Sequence, residues 1–178
     1  TGLLDASSSV QDMYFSDYAV TNETVGIPSE AVKTLAENDA VESVSTTRLS
    51  VFMPGAGDIL PFETDLSVQS HETLQLVNVD EAQLQIYAPN LSAQDKQALK
   101  DGTGCLVKNP IAFSYGDTTV QQTDLTVGDT IQLGDRTLPV LGLIDTAITI
   151  NNDGFTNGVQ LIVNDEIYCS LLGNDSYS

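Results

Sequence analysis

The chain is poor in the residues on which most catalytic and metal chemistry depends. Its 178 residues include one histidine, two cysteines and six lysines and arginines together. A Ser-His-acid hydrolase needs an imidazole beside its nucleophile. The single histidine lies in Ser70-His71-Glu72, and no G-x-S-x-G elbow occurs. His71 therefore reads as an exposed loop or strand residue. There is no C-x-x-C pair, and one histidine does not complete a zinc set. No glycine-rich loop carries a lysine for phosphates, so no nucleotide or other cofactor is expected. No apolar run approaches the ~20 residues that span a bilayer, and no signal-peptide pattern opens the chain. The first residues are Thr1-Gly2, without a methionine, which fits a segment of a longer protein.

Positive charge is scarce against 25 acids, which leaves a net charge of −19 spread evenly along the chain. Such a field repels phosphate backbones and anionic lipid headgroups, so nucleic acid is excluded as a partner. Carboxylate pairs are common in so acidic a chain, so Asp80-Glu81 and Asp165-Glu166 do not single out glycoside chemistry. Asn151-Asn152-Asp153-Gly154 comes nearest to a calcium loop. Aligned on Gly154, that loop wants an acid at 149 and a glutamate at 160, where the chain has Thr149 and Gln160. The stretch reads as a turn, and no metal site is expected. The tyrosines (Tyr14, Tyr18, Tyr87, Tyr115, Tyr168 and Tyr177) are scattered, as core or rim packing would place them. Cys105 and Cys169 are either two buried free thiols or a disulfide of an extracytoplasmic compartment. Both flank the central hairpin described next, so they are expected to lie close together.

An apolar content of 41% suits a globular protein with a real core. The clearest local pattern runs from Leu125 to Ile144. Val127-Gly128 suits a turn, and Ile131 and Leu133 alternate with polar neighbours as in a half-buried strand. Gly134-Asp135 is a Gly-X hairpin turn. Leu138, Val140 and Ile144 continue one face of a second strand, with Leu141 and Leu143 on the other. Pro139 implies an edge or a bulge, and Gly142 a close backbone approach. Upstream, an aromatic-rich strand candidate covers Gln11 to Thr21. A helix follows from Pro28, with Val32, Leu35, Ala36 and Val41 on the face that should pack on the strands. Val41 to Met53 reads as a strand, completing a β-α-β unit. The Gly/Pro loop from Pro54 to Glu63 marks a subdomain boundary. Leu66 to Val79 is a strand region, residues 80–87 lean to helix, and Ser92 caps a helix to Lys100 with Gly102 as its stop. Cys105 to Val107 is a short strand, Ile111 to Tyr115 a short apolar segment, and residues 116–124 a polar loop. Val159 to Val163 is a strand, and Asn164 caps a last helix that ends at Gly173.

Four stretches together resemble the extracytoplasmic domain of MacB/FtsX-like ABC-transporter permeases. They are Leu35–Ser45, Gly104–Ala112, the Leu125–Leu133 hairpin with Pro139–Ile144, and Leu161–Glu166 leading to Leu171-Leu172-Gly173. The most specific is the V-G-D-t-i-x-l … V-x-G-x-i pair. The resemblance implies an α+β fold in two parts. Residues 10–65 would be the first half of a porter-like α/β subdomain and residues 66–178 a β-rich, sabre-like one, the second α/β half having no clear match in this chain. It implies a domain on the extracytoplasmic face of a multi-pass membrane protein. Such a domain passes ATP-driven motion to a substrate or partner outside the membrane and is not an enzyme. The implied partners are a cytosolic ATPase, a second permease copy and an extracytoplasmic accessory protein. The isolated domain is expected to be a monomer, because two copies at −19 repel. The reading of a different class is a free-standing secreted or cell-surface binding module.

Overall fold

The architecture is set by one mixed sheet that buries both of its faces. The computed structural model describes residue 20 and residues 26–68, 72–120, 123–148, 150, 158–173 and 176–177. Gln11 to Tyr18, His71 and the Asn151–Gly154 turn lie outside these. In chain order the elements are α1 (Ser29–Ala36), β1 (Thr47–Phe52), β2 (Thr73–Val79), α2 (Glu81–Tyr87), α3 (Ala93–Lys100), β3 (Cys105–Lys108), β4 (Phe113–Tyr115), β5 (Thr118–Val120), β6 (Thr130–Leu133), β7 (Arg136–Leu143), β8 (Gly158–Ile162) and α4 (Asp165–Leu172). Six strands form the sheet in the order β1-β2-β8-β3-β7-β6, and β4-β5 is a separate ribbon. The pairs β2–β8 and β3–β7 are parallel, and the others are antiparallel. The fold is mixed α+β.

Consecutive apolar residues along the central strands serve opposite faces. Leu74, Leu76, Val107 and Leu161 join one core cluster with Ile167 and Tyr168 of α4. Val77, Leu106 and Ile162 join a second cluster with Leu84 of α2 and Leu99 of α3. Strands covered on both sides read as nearly continuous apolar runs, as Cys105-Leu106-Val107 and Leu161-Ile162-Val163 do.

Helix ends follow local chemistry. The side chains of Asp80, Ser92 and Asn164 accept from the backbone amides of Gln83, Asp95 and Ile167, capping α2, α3 and α4. The Ser92 hydroxyl also donates to Asp95 Oδ2 at 2.8 Å. Gly102 and Gly173 follow α3 and α4 at φ 74° and 70°, where a glycine stop is favoured. Asp80 has a second task. It accepts from the Thr46 amide at 2.7 Å and from the Ser45 hydroxyl, so its carboxylate takes the Thr46 amide in place of a ladder carbonyl where the β1–β2 pairing ends. This is why β1 starts at Thr47 rather than near Val41. Asp80→Ala therefore removes a cap and two tertiary hydrogen bonds, and should cost about 2–3 kcal/mol. Asp80→Asn, which keeps one acceptor oxygen, should cost less. Urea midpoints of the two variants check the ranking.

Several expectations change in the tertiary structure. Helix α1 ends at Ala36, and Asn38 then turns the chain by accepting the Ala40 amide. It buries no residue, and Leu35 is 43% exposed. The expected packing of its apolar face on the strands is not found among the described residues. The Pro54–Glu63 loop is a strap across the sheet. It leaves edge strand β1, places Phe62 in the first cluster against Phe52, and reaches the opposite edge. There Thr64 bridges Leu133, and the Gly134 amide donates to Glu63 O at 2.7 Å. The strands on either side of this loop, β1 and β2, pair over six residues. The polar loop expected at 116–124 contains β5, which pairs with β4 around Gly116 at φ 60°. A short threonine-rich strand in solvent has no apolar alternation to announce it.

The hairpin forms as its turns dictate, with one shift. Pro139 precedes the point where β3 begins to pair with β7. Cys105 opposes Val140 and Leu106 opposes Gly142, so Leu141 is the extra residue of a bulge. A bulge reverses the alternation of sides. Leu138 and Val140 face the first cluster, whereas Leu141 and Ile144 belong to the second, and Leu143 is half exposed. Gly142 meets side chains, not backbone: a Cβ there would lie 3.1 Å from Leu91 and 3.4 Å from Leu106. The close backbone approach occurs at Gly158, whose missing Cβ would run into the carbonyl group and hydroxyl of Thr73.

Candidate functional site

The titratable groups that could carry chemistry are largely occupied in holding the fold. Asp80 is the cap and tie described above. Asp165 lies 3.4 Å from Arg48, and Glu166 accepts from Arg136 at 2.7 Å. Asp129 closes the hairpin's first turn by accepting from the Thr126 amide and hydroxyl. Among the described residues no three His, Cys, Asp or Glu side chains gather as a metal site, and no helix is long and apolar enough to cross a membrane.

Cys105 and Cys169 are free thiols in this structure. Cys105 begins β3, wholly enclosed in the first cluster, and Cys169 sits half-buried on α4 against that same cluster. Titration of the denatured, unreduced protein should count two thiols; a count of zero would mean that the pair closes. Burial pushes the Cys105 thiol from its ordinary 9.0 up to about 12. Burial also raises the Tyr168 phenol, against the lowering effects of its Ser50 hydrogen bond and the Arg48 charge, with Cys169 adding to the rise. Both groups hold their proton more tightly when folded than unfolded. The stability that this gives is fully present below pH ~9 and is lost as pH rises towards ~12. The thiol's share of the slope is at most about 1.4 kcal/mol per pH unit. Urea midpoints from pH 7 to 11 should be flat and then fall, and Cys105→Ala should make the fall shallower.

Among the described residues, Tyr87, Tyr115, Tyr168 and Tyr177 do not meet in one groove. Tyr168 is buried with its hydroxyl 2.8 Å from that of Ser50, Tyr87 is half-buried on α2, and Tyr115 on the ribbon is 84% exposed. Tyr177 covers Arg48.

Two arrangements were not foreseen from the residues. One is a buried polar row at the end of the β2–β8 pair. Gln75 and Gln160 oppose each other, with Gln160 Nε2 donating to Gln75 Oε1 at 2.7 Å. Gln75 Nε2 donates to Thr73 Oγ1 at 3.0 Å, and the neighbouring Glu72 is wholly buried. A one-residue slip would set these amides against leucines, so the row specifies register. The only advance signal is polar residues inside otherwise apolar strands. The other arrangement is the neck of the β4-β5 ribbon. Asn109 Nδ2 donates to Leu125 O at 2.8 Å, and the Leu125 amide donates to Asn109 Oδ1 at 3.0 Å. This two-way clasp pins the base of an excursion that carries exposed Ile111 and Tyr115.

No protein-family model matches the chain, and no curated protein matches it. Among solved structures, it is similar to the extracellular domain of YknZ, a noncanonic ABC-type transporter from Gram-positive bacteria, with 11% identity and a TM-score of 0.47 over 86% of this chain and 70% of that one.

Proposed function

We propose that this chain is a non-catalytic extracytoplasmic domain of an ABC-transporter permease, one that passes ATP-driven motion to a substrate or partner outside the membrane. The observation that carries this reading is where the resembling stretches fall. Gly104–Ala112 and the Leu125–Ile144 hairpin supply β3, β6 and β7, and Leu161–Glu166 begins in the last two residues of β8; these strands are neighbours in the order β8-β3-β7-β6. Stretches far apart in sequence thus form one continuous half of the sheet, as parts of a single family pattern should. Leu35–Ser45 lies apart from them, at the end of α1 and beyond. In this reading residues 10–65 belong to a porter-like α/β subdomain and residues 66–178 to a β-rich one, with β1 of the first pairing with β2 of the second. Dimerisation belongs to the membrane part and the ATPase, which hold two such domains near each other. Weak, switchable contacts then suffice between them.

The test is topological. The reading frame that encodes the chain should continue into membrane-spanning segments on both sides. Ile59, 91% exposed, offers a labelling point. With Cys169 replaced by serine, Ile59→Cys in the complete protein should react with a membrane-impermeant maleimide in intact cells. The isolated chain should sediment as a monomer at ~100 µM, a concentration that exposes weak association. Labelling only after lysis, or a frame without membrane segments, would overturn the permease reading. A secreted, tightly dimeric chain would point to the free-standing binding module.

A further inference from the structure

Between Lys108 and Arg136 the chain carries no lysine or arginine, while Asp117, Asp124, Asp129 and Asp135 fall in that interval. Part of the interval is the β4-β5 ribbon, which stands apart from the six-stranded sheet. The ribbon is not needed to join β3 to the hairpin, because the Asn109–Leu125 clasp already brings the two ends of the excursion together. Among the described residues neither core cluster takes a member from residues 111–120. A two-stranded ribbon is marginal on its own in water, and this one buries nothing in the core to offset the entropy of ordering it.

Register gives the ribbon two unlike faces. Tyr115 opposes Thr118 and Phe113 opposes Val120, so these positions share one face. Ser114 and Thr119 oppose each other on the reverse face, with their hydroxyl oxygens 3.0 Å apart. Tyr115 is 84% exposed, and Ile111, two residues before β4, is 59% exposed. Sheet edges are ordinarily blunted by lysine, proline, a bulge or a cover. Edge strand β6 has a cover: Asp65, just past the strap, accepts from the Gln132 amide at 2.9 Å, and Glu63 O accepts from the Gly134 amide. Strand β4 has no lysine or proline, its register has no bulge, and among the described residues it pairs only with β5.

We propose that the open edge of β4 is a docking site for another protein, which adds an extended, basic segment as a third strand with its apolar side chains on the Tyr115 face. Strand addition occupies the amides and carbonyls of the edge, and alternate side chains of the segment supply selectivity. Charge selects the occupant. A second copy would bring another −19, and an anionic lipid surface is repelled in the same way. Lysines or arginines of the segment meet Asp117 at the exposed turn, with no basic residue in the ribbon to oppose them. The proposal stands on the ribbon itself and not on the permease reading.

Panning a random library of short peptides against the whole chain tests it. Enriched peptides should alternate apolar residues with lysine or arginine, and when bound they should slow hydrogen exchange of β4 amides. Tyr115→Ser, at an exposed position, should weaken them about tenfold or more and leave the urea midpoint of the chain unchanged. Asp117→Lys should weaken the same peptides, most clearly at low salt. No enrichment, enriched peptides without net positive charge, or peptides that bind Tyr115→Ser equally would overturn the proposal. So would protection of β4 on raising the concentration of the chain alone, which would assign the edge to a second copy. Protection by phosphatidylcholine vesicles would overturn it too, and assign the ribbon to a membrane surface.

Discussion

Gly158→Ala should cost about 3 kcal/mol and lower the melting temperature by roughly 6–12 °C. The residue opposes Thr73 in the parallel β2–β8 pair. A Cβ at this position collides with the Thr73 carbonyl oxygen and carbon as well as with its hydroxyl. Backbone atoms of a neighbouring strand cannot turn aside as a side chain can. The strands must separate locally, which also strains the Gln75–Gln160 contact two residues further along. The double variant with Thr73→Ala discriminates, because it removes the hydroxyl but leaves the carbonyl. It should recover little of the loss. By contrast Gly142→Ala meets only the ends of Leu91 and Leu106 and should be milder. A Gly158→Ala protein within 0.5 kcal/mol of the parent would mean that β8 is not paired with β2 in this register.

Leu161→Ala is expected to cost about 3–4 kcal/mol. Strand β8 is flanked by β2 and β3, and Leu161 is fully buried in the first cluster with Leu74, Leu76, Val107 and Ile167. Truncation loses the transfer energy of the side chain and leaves a cavity that strands held on both sides cannot collapse into. The denaturant slope should stay that of the parent, since the surface exposed on unfolding hardly changes. Ile59→Ala is the control. At 91% exposure it should lie within about 0.5 kcal/mol of the parent, although it removes the same number of apolar carbons. Equal effects at the two positions would mean that the sheet does not bury the face to which Leu161 is assigned.

Local punctuation was legible in the residues because it is decided within three or four positions. Asp80, Ser92 and Asn164 bond to amides three residues on, and Gly128, Gly134 and Gly173 adopt positive φ where their turns and stops require it. The hairpin and the helices α2, α3 and α4 follow from these signals. The resemblance to a permease domain likewise rests on stretches whose order along the chain can be read directly. Strand order could not be read this way. Several apolar strands of similar length can pair in many ways with little local difference, and only burial of both faces selects β1-β2-β8-β3-β7-β6. The bulge at Leu141 depends on β3 arriving beside β7, and it moved Ile144 to the opposite face. Gly142 and Gly158 look alike in sequence. Only the packing made one face leucine side chains and the other a neighbouring backbone. Helix α1 carries an apolar stripe of which no residue is fully buried, since a stripe records a tendency to be buried and not how completely a partner covers it. Arg48 is the sharpest case. One of six basic residues in an acidic chain reads as a surface charge, yet Asn78, Asp165 and Tyr177 converge on it from three other segments and enclose it. Burial of a charge is decided by the groups that meet it, and those are brought together only by the tertiary fold.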